Sequence, residues 1–221
     1  MPKDKDYRNT QYCKELIDVS NKKERLEAQI QEDFPRTRII YNKVKKRGGI
    51  YNRKFAEIYN EKCAYCGILL GLIPLESFEV DHFINEASFS DTEEDRIKAG
   101  RMENLIWSCI DCNRGKSGLT ITPPYDHILN VDQGNICQVF ERDKDFYIRI
   151  NAQYKNDEFV KMFYDSLHLG YQRRRMDYLL LQMYGRMKAE RNEMKKNKLG
   201  AAFLELLEAR NRMHITDGKR I

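Results

Sequence analysis

Two Cys-x-x-Cys pairs, Cys63-Ala64-Tyr65-Cys66 and Cys109-Ile110-Asp111-Cys112, stand 42 residues apart, with Asp81-His82 between them and Asn113 directly after the second. Thiolate is a soft ligand suited to tetrahedral zinc, and two such pairs supply four sulfurs, which closes the coordination shell. A closed shell has no position for substrate, so the ion expected here is structural, a clamp between the start and the end of the intervening segment. The rival chemistry for Cys-x-x-Cys is thiol–disulfide exchange. Two pairs flanking an acid–histidine dipeptide weigh against it. An acid, a histidine and an asparagine gathered by that clamp can hold a second, harder divalent cation beside a base. Cys13 and Cys137 have no such companions and are expected to be ordinary thiols.

The combination Cys-x-x-Cys, Asp-His, Asn104-Leu105 and Cys-x-x-Cys-Asn-x-x-Lys, over residues 63 to about 120, resembles the HNH endonucleases of the ββα-metal superfamily, in the subgroup stapled by a four-cysteine zinc. The resemblance implies hydrolysis of DNA phosphodiester bonds. His82 would be the general base, Asp81 and Asn113 would hold Mg²⁺ or Mn²⁺, and Asn104 would shape the loop that orients His82. Lys116 and Arg114 would meet phosphate. Two departures stand out: Asn113 replaces the family's final histidine, and the usual proline after Asp-His is absent, with Asn85 near its place. The plain alternative for His82 is a histidine packed against Phe78 and Phe83.

The elements that must position these residues are legible in outline. Leu16, Ile17, Leu26 and Ile30 recur at helical spacing and predict a helix over 11–33, ending before Pro35. A basic stretch follows, with Arg36, Arg38, Lys43, Lys45, Lys46 and Arg47 ahead of Gly48-Gly49. Tyr51, Phe55, Ile58 and Tyr59 predict a helix over 51–60 that delivers the chain to Cys63. Residues 78–83 read as a strand, 85–103 as an inserted polar loop with a short helix, 104–108 as a second strand, and Asn113 onward as a helix. Ile136–Phe140 and Phe146–Ile150 predict a hairpin, and helices are expected over 157–168, 171–194 and 198–212. Asp217 to Ile221 is expected to fray.

The fold class read from this pattern is α+β, a zinc-stapled ββα module with mainly helical extensions. The expected organisation is a basic helical segment over 1–60, the module over 61–125, and a hairpin with helices over 126–221. Net charge supports the division: residues 1–62 carry +6, 63–160 carry −8 and 161–221 carry +7. An acidic centre for cations between basic arms suits a nuclease; solvated helix faces are the alternative. Arg173 and Arg174, in a run of three arginines, are candidate phosphate contacts, with Tyr171 and Tyr178 beside them. Three consecutive helical residues cannot share one face.

No apolar run approaches the ~18–20 residues needed to span a bilayer, and no apolar segment follows Met1-Pro2-Lys3-Asp4-Lys5. The expectation is a cytoplasmic protein that does not engage a membrane. The C-terminal part also resembles, more loosely, the extensions of HNH proteins in anti-phage systems, some paired with an ATPase as in Septu. That implies a defence role and a protein partner. Homo-oligomers, RNA as substrate, a DNA-binding zinc module without catalysis, and a subunit inactive without its partner all remain open.

Overall fold

The computed structural model describes residues 6–10, 12 and 15–219. Cys13 lies outside them, as does part of the segment expected to begin the first helix. That helix, α1 (Val19–Asp33), starts only after Asp18, whose left-handed backbone interrupts the run. Its buried face is Val19, Lys23, Leu26 and Ile30. A lysine belongs there because Nζ of Lys23 donates to the carbonyl oxygens of Glu103 and Leu105, at 3.0 and 2.8 Å, and pairs with Asp132 at 2.6 Å. Every donor finds an acceptor, which is what makes a buried ammonium tolerable.

The basic stretch folds into the single turn α2 (Tyr41–Val44), and after Gly48-Gly49 comes α3 (Ile50–Ile58), which buries Phe55, Ala56 and Ile58. The strand β1 (Phe78–His82) pairs antiparallel with β2 (Leu105–Cys109), Asp81 facing Ile106 and Val80 facing Trp107. Between them lies α4 (Glu93–Ala99), capped by the Thr92 hydroxyl, which accepts from Asp95 N–H. Glu93, Glu94 and Asp95 complement the helix dipole in its first turn. The helix α5 (Ile110–Lys116) follows β2 without a break, so the second Cys-x-x-Cys runs from the last residue of β2, the N-cap Cys109, into the first turn of the helix. Two strands and a helix thus stand in ββα order, in a chain that mixes helices with two small antiparallel sheets.

Beyond α6 (Tyr125–Ile128) the expected hairpin is shorter than its β-branched pattern suggests. Ile136–Val139 makes a helical turn, α7, and only β3 (Phe140–Arg142) and β4 (Ile148–Ile150) pair. Then come α8 (Glu158–Ser166), α9 (Gln172–Ala189) and α10 (Glu193–Arg212). Near the end of the described residues Lys219 pairs with Asp165 at 2.9 Å, and residues 220 and 221 of the segment expected to fray lie outside them. One hydrophobic core joins Tyr7, α1, α3, both strands, Phe140, Phe163 and Leu169. Among the described residues no helix is long and apolar enough to cross a membrane.

Candidate functional site

The first Cys-x-x-Cys is a tight turn after α3. Cys63 N–H donates to Ile68 O, Gly67 N–H donates to Cys63 O, and Ala64 N–H donates to Trp107 O, which ties the turn to β2. Gly67 has φ +79°, and a Cβ there would stand 2.8 Å from the carbonyl oxygen of Arg8. Glycine is required twice over, by backbone sign and by the segment lying across it.

The four cysteines are buried, and their ligand atoms all lie within 4.8 Å of one another. Sγ of Cys66 and Sγ of Cys109 are 3.8 Å apart, matching the ~3.8 Å edge of a tetrahedron whose sulfurs sit about 2.3 Å from its centre. Without a cation the four thiols compete. Hydrogen bonds from Cys112, Cys63 and Cys66 hold Cys109 well below the usual thiol range, while burial pushes Cys66 and Cys112 up. A divalent ion removes the conflict by taking four thiolates. The cluster can hold zinc, and its closed, buried form suits a structural ion. Among the described residues it is the one converging group of three or more His, Cys, Asp or Glu.

A different set of groups lines the face of β1 on which α5 lies. Residues two apart on a strand share a face, so Glu79 and Asp81 stand side by side. Across from them, residues three apart on α5 meet them in turn. Asn113 Nδ2 donates to Glu79 Oε2 at 2.9 Å, and Lys116 Nζ lies 3.3 Å from Asp81 Oδ1. Asp81 also accepts from the Tyr65 hydroxyl, 2.8 Å from Oδ2, so a residue inside the first cysteine turn holds the acid. Burial pushes the Asp81 carboxyl up to about 6, against the pull of Lys116 and of the Tyr65 hydrogen bond.

His82, next along the strand, is half-buried, and its ring centroid lies 4.4 Å from that of Tyr41. Burial holds its imidazole below the ordinary 6.5; Glu86 pulls it up, while Lys116 and Lys45 push it further down. Tyr41 itself is raised by burial and then by Glu86, Glu79 and Asp81. Asn104 touches none of these side chains. Its Oδ1 accepts from Ile84 N–H at 2.8 Å, and its Nδ2 donates to the carbonyls of Ile84 and Ala99 at 3.0 and 2.9 Å, pinning both ends of the loop that leaves His82.

Two expected phosphate contacts have other posts. Lys116 is 1% exposed, and its ammonium donates to the carbonyls of His82 and Phe83 at 2.8 and 3.3 Å besides facing Asp81. Arg174, also 1% exposed, points at the cysteines: Nη1 is 3.4 Å from Cys66 Sγ, and Nη2 is 3.2 Å from Cys112 Sγ. A buried cation already surrounded by acceptors has no reason to move to a surface phosphate. Arg173 is half-buried, 3.6 Å from Asp111, and Arg175 donates to Asp145 O at 2.8 Å. Successive residues advance about 100° around a helix, and the three arginines take three separate partners. Tyr178 is buried, stacked on Phe146. Arg114 is exposed.

Glu79, Tyr65 and Tyr41 were not among the expected site residues. Alternation along Phe78-Glu79-Val80-Asp81 carries a signal for Glu79. No local signal exists for Tyr41, which reaches His82 from the basic stretch. That stretch also brings Arg47, whose Nη2 lies 3.6 Å from Glu79 and whose Nε donates to Phe78 O at 3.2 Å. Its neighbour Lys45 is exposed, 5.0 Å above the Tyr41 ring. Comparison of the chain with protein-family models, with curated proteins and with solved structures finds no match.

Proposed function

We propose that this chain is a metal-dependent endonuclease of the HNH type, cutting phosphodiester bonds in DNA. The observation that carries the reading is the crossing of α5 over β1, which sets Asn113 and Lys116 against Glu79 and Asp81, one residue from a half-open histidine. Asp81, Glu79 and the Asn113 carbonyl form a hard oxygen donor set suited to Mg²⁺ or Mn²⁺. Such an ion, when bound, supplies charge stabilisation on phosphate. Asn113 spends its amide nitrogen on Glu79, which leaves the amide oxygen as the atom it can offer.

The chain's own groups do the rest. His82, held below 6.5 by burial, is unprotonated at neutral pH and accepts a proton from the attacking water. The Tyr41 ring keeps the imidazole from turning away. Lys116 neutralises buried Asp81 and braces the backbone at His82 and Phe83, a positioning task in place of a phosphate contact. Phosphate falls to the exposed Lys45, Arg47 and Arg114, whose charge gives affinity without reading bases.

The test is cleavage of supercoiled plasmid by purified full-length protein with Mg²⁺, Mn²⁺ or EDTA, wild type beside His82→Ala. The expected result is metal-dependent cleavage that falls about 10²- to 10⁴-fold in the variant, with an unchanged melting curve. Cleavage that survives the substitution, or a folded zinc-loaded wild type that never cuts, overturns the reading. A second reading is a subunit that cuts only within an assembly, in the manner of HNH proteins paired with a defence ATPase. What favours it is α10, which leaves Met194 and Leu204 70% and 60% exposed. Restoration of cleavage by a partner that binds this helix would support it.

A further inference from the structure

A guanidinium buried against cysteine sulfurs needs a chemical reason. Arg174 presents its fork to three of the four cysteines: Nη2 to Cys112 at 3.2 Å, Nη1 to Cys66 at 3.4 Å and to Cys109 at 4.0 Å. The Leu167 carbonyl accepts from Nη2 at 3.3 Å. The carboxylate paired with it is Asp177, 3.6 Å away and itself buried, whose other oxygen takes Nε of Arg210 from α10 at 2.7 Å. Two buried arginines against one buried aspartate leave a positive charge unbalanced within the helices. Neutral thiols would not balance it.

Four thiolates around one divalent ion carry roughly two net negative charges, which is costly to bury. We infer that Arg174 is an outer-sphere partner of the metal-bound tetrathiolate, supplying the compensating charge and the N–H donors that its sulfurs need. The assignment explains the burial of both partners, since each offsets the other. It explains why arginine stands there, since a planar fork can address two sulfurs with separate N–H groups and a lysine cannot. It also ties the cysteine turns to α9, where Asp177 separately holds Arg210 of α10. Nothing in it depends on catalysis at His82.

The experiment uses the full-length protein as wild type, Arg174→Met, Arg174→Lys and Arg210→Met. Zinc affinity is read by competition with a chromophoric chelator, and the sulfur-to-metal charge-transfer bands are read after replacing zinc with Co²⁺. Loss of an outer-sphere donor typically costs about 10- to 100-fold in metal affinity. That loss is expected for Arg174→Met, with charge-transfer bands moved to lower energy because the sulfurs, no longer hydrogen-bonded, become stronger donors. Arg174→Lys, which keeps the charge and loses the fork, should fold, bind zinc with intermediate affinity and shift the same bands by less. Arg210→Met, which leaves Arg174 on the sulfurs, should match wild type in both readings. Wild-type affinity and unshifted bands in both Arg174 variants would overturn the inference. So would an Arg210→Met variant as weak as Arg174→Met, because the effect would then come from helix docking in general. Should Arg174→Met fail to fold, the bands of Arg174→Lys decide the question alone.

Discussion

The cysteine cluster and the Asp81–His82 site share the helix α5 and lie on either side of one strand pair, the cluster using β2 and the site β1, yet they are built on opposite plans. At the cluster every ligand is buried and the sulfurs lie within 4.8 Å of one another. At the face the groups are engaged with one another, Asn113 with Glu79 and Lys116 with Asp81, and His82 is only half-covered. A centre that only has to hold the fold can be closed. One proposed to admit water, phosphate and a cation has to keep exchangeable contacts. The difference teaches that burial alone does not mark function, since two buried cationic groups nearby, Lys116 and Arg174, sit against the two centres from within.

The comparison breaks most visibly at the cluster. Cys109→Ser should abolish stoichiometric zinc and unfold the ββα region, because metal affinity and folding are one equilibrium in such a site. Metal analysis beside a melting curve reads it; full zinc content with an unchanged Tm would mean the cluster is not a clamp. At the other pole, Tyr41→Ala should leave zinc and Tm near wild type and lower kcat by about 10- to 100-fold through a misplaced imidazole, with Tyr41→Phe nearly normal. A KM effect without loss of kcat would show that Tyr41 contacts substrate instead.

A pH experiment sharpens the contrast further. Asp81 titrates near 6 because burial raises it, so a cation must displace a proton below that pH. Apparent Mg²⁺ affinity, followed calorimetrically, should be about tenfold weaker at pH 5 than at pH 7. Cleavage should fall over the same range. The sign is fixed: the carboxyl is mostly ionised above 6 and mostly neutral below. His82 moves the other way, its lowered pKa extending the range in which it is a base. Flat Mg²⁺ affinity between pH 5 and 7 would remove Asp81 from the cation site.

What the sequence made legible was local. Cysteine spacing, the alternation around Asp81 and the short helix within 85–103 are all set within a few residues, and the elements carrying them appear close to the expected places. The break between the last two helices was expected at residues 195–197 and falls at 190–192 instead, where Asn192 accepts from Lys195 N–H as the N-cap of α10. Contacts that join distant segments were not legible. Nothing near Tyr41 announces His82, and nothing in Arg173-Arg174-Arg175 says which arginine faces sulfur. That is decided by how α9 lies against α5 and the cysteine turns. Surface-like composition misled in the same way for Lys116, whose ammonium group is buried among two carbonyls and a carboxylate.

The helix α5 is only about two turns long, yet Cys112 on it faces the sulfurs while Asn113 and Lys116 face the acids. It is fixed from behind as well: a Cβ on Gly115 would stand 2.1 Å from the carbonyl oxygen of Ser166, so α8 sets its height. An insertion within α5 rotates the residues after it by about 100° against those before it, so it breaks the register that the two centres share, and any bulk at Gly115 lifts both together. The two sites therefore share one axle. Tinkering, whether by selection or by an engineer, can retune either one only through residues that leave that axle alone, such as Glu79, Tyr41 or Arg174.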